Sequence, residues 1–103
     1  MTAPPVPGTP VPEEVGAELQ RVVKRWGQLP LDHALSHVAR VRALVQSLAD
    51  RVAAAGGVAS SVVPDLGPAT LMDQLTVMVH DASAAALTST LVADLARLRR
   101  ELA

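Results

Sequence analysis

The 103-residue chain has no cysteine, phenylalanine or tyrosine; isoleucine and asparagine are missing too, and Trp26 and Lys24 are its only tryptophan and lysine. Each absence closes a class of explanation. Without thiols there is no disulfide frame, no thiolate metal site and no cysteine nucleophile. A formal net charge of −1 gives no electrostatic reason to expect a nucleic-acid partner. The longest uncharged runs, Val52–Pro64 and Ala82–Ala93, fall short of the roughly 20 apolar residues a membrane helix needs, so no membrane partner is expected. The opening residues, MTAPPVPGTPVPEE, lack a basic segment followed by an apolar one, and a cytoplasmic location is expected rather than a secretory one. The missing amino acids are those with AT-rich codons, which points to a high-GC bacterial genome.

What remains is a chain that is 50% hydrophobic, built almost wholly from Ala, Val and Leu. Its length predicts one small domain. Small side chains let helices approach closely, although each contact buries little area. Residues 1–11 carry Pro4, Pro5, Pro7, Gly8 and Pro10 and are expected to be a flexible, proline-rich N-terminal tail. Residues 12–103 are expected to form the helical domain.

A first helix is predicted over about 12–28. Pro12 suits its first position, Glu13 and Glu14 suit the positive end of its dipole, and Gly27 with Pro30 stop it. Val15, Leu19, Val22, Trp26 and Leu29 make a 4-3-4-3 apolar stripe. A second helix is predicted over about 30–55, ending at Gly56-Gly57, with a stripe through Leu31, Ala34, Val38, Val41, Val45, Leu48, Val52 and Ala55. Residues 56–67 read as a loop. From Pro68 to Leu102 there is no further glycine or proline. A third helix over about 68–102 would be ~52 Å long at ~1.5 Å per residue, against ~39 Å for the second.

Two apolar stripes run along that third helix. One is Leu71, Leu75, Met78, Ala82, Ala85, Val92 and Ala96; the other is Val77, Ala84, Leu87, Leu91, Leu95, Leu98 and Leu102. They lie about 120° apart at ~100° per residue, so the helix needs cover on two sides. The shorter first and second helices cannot cover its full length, and an exposed leucine stripe calls for a partner. The reading is an all-α, three-helix, hairpin-like bundle with a long third helix, assembled as a homodimer. Leu87, Leu91, Leu95, Leu98, Leu102 and His80 are its expected interface. The alternative is a break near Ser83–Thr90, after which the chain folds back into a four-helix unit.

Candidate chemistry is sparse. His33 and His37 stand four apart on one helical face, the spacing of metal-binding helices, but Ala34, Leu35 and Ser36 lie between them with no glutamate. They are candidate metal ligands, and a solvated face is the expected role. His80 interrupts the second stripe, where an imidazole could change charge at an interface. Ser36, Ser83, His37, His80 and Asp81 are the ingredients of an acyl-transfer triad, but no G-x-S-x-G elbow holds them. No ExxH pattern, phosphate loop or cofactor motif is present. Arg97, Arg99 and Arg100 form a small basic cluster beside Glu101, and with Asp94–Arg97 and Arg97–Glu101 at i+3 and i+4 a solvated helix face is expected rather than a phosphate contact. By elimination, the sequence predicts a small non-enzymatic interaction or assembly protein that self-associates through its third helix. The alternative is a ligand- or metal-binding bundle using His33/His37 or His80.

Overall fold

The computed structural model describes residues 10–103, and no strand occurs among them. Helix α1 spans Glu13–Gln28, with Glu13 and Glu14 in its first turn and Arg25 in its last, the polarity that suits the helix dipole. Val15, Leu19 and Val22 are buried on the predicted stripe, and Trp26 and Leu29 pack against the same core. Of the expected 1–11 tail, residues 1–9 lie outside the described residues. Val11 is half-buried against the core and so belongs to the domain.

The predicted second helix is interrupted at His37, giving α2, Leu31–Ser36, and α3, Val38–Ala55. The Ser36 hydroxyl donates to the His33 carbonyl at 2.6 Å, while the His37 N–H donates to Ala34 O at 3.0 Å. A hydroxyl competing for a helical carbonyl tightens that turn without a glycine or proline. At the end of α3, Gly57 sits at φ 69°. Gly57 N–H donates to Ala54 O and Val58 N–H to Ala53 O, the two-bond Schellman cap, for which a left-handed glycine is well suited.

The expected long third helix is two helices. A 3-10 turn, Pro68–Thr70, leads into α4, Leu71–Ala84; α5, Leu91–Glu101, follows after six residues. The break repeats the α3 cap: Ala86 N–H donates to Ser83 O and Leu87 N–H to Ala82 O, with Ala86 in the glycine position at φ 62°. The fold-back alternative is thus the one realised, and its cause lies in the stripes. Leu71, Leu75, Val79 and Ala82 are buried before the turn, and Leu91, Leu95, Leu98 and Leu102 after it. Leu71, Leu75 and Ala82 belong to the first stripe and Leu91, Leu95, Leu98 and Leu102 to the second; Val79 joins them from neither, and the turn brings all of them onto a single core.

The chain from 56 to 67 runs back along α3 before α4 begins, so α3 and α4 are parallel. Arg40–Glu101 at 2.5 Å and Arg51–Asp94 at 2.9 Å join the two ends of α3 to opposite ends of α5, which makes that pair antiparallel. Asp94 and Glu101 therefore pair across helices; Arg97 is exposed as expected, whereas Arg99 of the same cluster is half-buried and pairs with Glu18 of α1. The tightest helix pairs are α3 with α4 and α1 with α5. Between them lies one core of Val, Leu and Ala. Each fully buried leucine stabilises it by about 1.5–3 kcal/mol.

Candidate functional site

The return segment has no regular structure and is held to the helices mainly through its backbone. Gln46 Nε2 donates to Ser61 O at 3.0 Å, and Gln46 Oε1 accepts from the Val63 N–H at 2.8 Å. Arg42 Nη2 donates to Val63 O at 3.3 Å, and Gln74 Nε2, from α4, donates to Pro64 O at 2.9 Å. Ser60 donates to the Asp50 carboxylate, which Gln46 Nε2 also reaches at 2.8 Å. Those donors, Ser60 first, hold the Asp50 carboxyl below the ordinary aspartate range.

Propped in this way, the segment walls a groove of about 710 Å³ between α3 and α4. Val45, Ala49, Val52 and Ala53 of α3 and Val77 and Met78 of α4 line it, with Val58, Val62 and Leu66 on the return segment. Unlike the core, this surface is wet: Val58 is 64% exposed, Val62 84%, Leu66 60% and Val77 54%. Asp73 is the only charged lining residue and takes part in no ion pair among the described residues. Gln74 Oε1 is buried beside it without a donor among the described residues.

The residues singled out from the sequence lie elsewhere. Leu91, Leu95, Leu98 and Leu102 are 0% exposed within the chain itself, and Leu87 packs against the same core. The uncovered stripe that called for a dimer is thus already covered by α1 and the other helices. His80 is exposed on α4, lining a smaller cleft formed with α1; its Nδ1 donates to Thr76 O at 2.8 Å. His33 and His37 do come together, with ring centroids 5.1 Å apart. Among the described residues, however, no group of three or more His, Asp or Glu could complete a metal site. Ser36 and Ser83 both donate to carbonyls of their own helices, so neither is paired with an imidazole.

The groove was missed because 56–67 reads as a loop by its glycines and prolines. Its signal was present in the run VASSVVPDL, with four large apolar residues and no stripe of its own to bury them. A scan against family models, a search of curated proteins and a search of solved structures each find no match for this chain. No helix among the described residues is long and apolar enough to cross a membrane.

Proposed function

We propose that this chain is a small, non-catalytic helical interaction protein. Its docking face is the α3–α4 groove, and the occupant is an amphipathic helix of a partner protein with lysine or arginine beside its apolar stripe. The exposed rim carries this reading. A small apolar ligand lying in the groove would leave Val58, Val62, Leu66 and Val77 wet, whereas a helix laid along it covers them. Residues 45–53 of α3 span about 12 Å at ~1.5 Å per residue, the length of an i, i+3, i+7 row of anchors. Asp73, the single lining charge, sets the sign of the partner's flanking residues.

The probe is a pair of designed two-heptad helices with identical leucine stripes, one flanked by lysine and the other by glutamate. Titration followed by calorimetry should show the lysine peptide binding more tightly. Val62→Glu should weaken it at least tenfold. Asp73→Asn should reduce the lysine preference only a few-fold, as expected of an exposed pair worth about 0–1 kcal/mol. Equal binding of both peptides, or binding indifferent to Val62→Glu, would overturn the reading.

A further inference from the structure

We propose that α5 can be exchanged between two copies of this chain, the α4–α5 turn opening into one continuous helix so that each α5 docks on its partner's α1. This goes beyond the groove reading and involves α1 and α5, neither of which lines the groove.

Three observations carry it. First, the turn is held by a strained residue. Ala86 is the only non-glycine residue at positive φ among those described, and it fills a position that Gly57 fills in the matching cap of α3. A left-handed alanine has its Cβ crowded against the following carbonyl, and hinges under strain favour exchange. Second, both ends of the turn and its composition suit a continuous helix. Ala85 at φ −86°, ψ 6° and Thr90 at φ −109°, ψ −6° are already on the helical side of the map, and no glycine or proline lies between Ala69 and Leu102 to resist a continuous helix. Third, α5 is anchored to the far part of the chain. Arg99 Nε donates to Glu18 at 2.9 Å, Arg25 Nε to Leu102 O at 3.0 Å, Arg51 Nη1 to Asp94 at 2.9 Å and Arg40 Nε to Glu101 at 2.5 Å. Every one reaches α1 or α3 and none reaches α4. A second copy offers the same partners, so an exchanged α5 recovers all of them along with its four buried leucines. Self-association through the Leu91–Leu102 stripe then needs no exposed patch, because the surface used within one chain becomes the surface used between two.

The absence of cysteine from the sequence makes the test clean. Two single-cysteine variants, Glu18→Cys and Arg99→Cys, are mixed at high concentration, equilibrated and treated with a bis-maleimide. Exchange places the two thiols of different chains together and yields a covalent dimer on a denaturing gel, absent when either variant is treated alone. Light scattering on the cysteine-free protein adds the sign. Ala86→Gly relieves the turn and weakens the continuous helix, so it should raise the concentration for half-dimerisation by roughly tenfold or more. Ala86→Val, whose branched side chain tolerates the left-handed region poorly, should lower it. Should Ala86→Val fail to fold, the mixture of the two single-cysteine variants, in which Ala86 is intact, decides. Monomer at every concentration, or a dimer in which the two thiols never cross-link between chains, overturns the proposal.

Discussion

Arg99 Nε meets Glu18 Oε2 at 2.9 Å across 81 residues of sequence, fastening the last helix to the first. Arg21 approaches the same carboxylate at 3.1 Å, so one acid on α1 gathers two guanidinium groups. The hydrogen bond from Arg99 is the largest influence on Glu18 and, with the charges of Arg99 and Arg21, holds its carboxyl below the ordinary glutamate value of 4.5.

Because the folded chain holds this proton less tightly than the unfolded one, the stabilisation is complete above the ordinary glutamate value and is lost as pH falls through the lower folded value. The thermal midpoint should therefore decline on acidification below about pH 4.5. Glu18→Gln should start from a lower midpoint at pH 7 and decline less steeply. Identical pH profiles for the two proteins, read by circular dichroism, would show that the pair contributes nothing.

Leu98 and Val62 are both large apolar residues, and their substitutions should have opposite outcomes. Leu98 is 0% exposed, so Leu98→Ala should cost about 2–5 kcal/mol in urea unfolding. Leu98→Glu should leave the chain largely unfolded, since a carboxylate without a partner would have to be buried. Val62 is 84% exposed, and Val62→Ser should change stability by no more than about 0.5 kcal/mol.

The His33–His37 pair supplies two imidazoles and no third ligand. Titration with zinc alone should show weak binding at most, removed by His33→Ala and without effect on the thermal midpoint. A tight one-to-one complex that raises the midpoint would revive the metal-binding reading, because ligand binding to the folded state must stabilise it.

Much of this architecture is legible in the sequence. The 4-3-4-3 row from Val15 to Leu29 gives α1 within a residue at its start, and the glycine pair at 56–57 places the end of α3. The third helix is misread because continuity was inferred from the absence of glycine and proline, whereas Ala86 takes the left-handed cap without either. The stripes held the correction. The first is rich in large residues only up to Met78, the second only from Leu87, and a segment that changes face midway has reason to fold back. The groove is harder to foresee. It depends on Arg42, Gln46 and Gln74 reaching the backbone of a segment far from them in sequence, and no periodicity reports that.

Those three side chains bond to carbonyls and an amide of residues 61–64, not to their side groups. The groove wall is thus positioned largely by main-chain atoms, and of these only the Val63 amide is one that proline could not supply. Val58, Val62 and Leu66 are thereby relieved of duty to the fold, and their replacement changes the exposed face of the wall without loosening how it is held. On the docking proposed above, stability and specificity are written in different residues, so drift at these positions would retarget the groove while the bundle beneath stays the same.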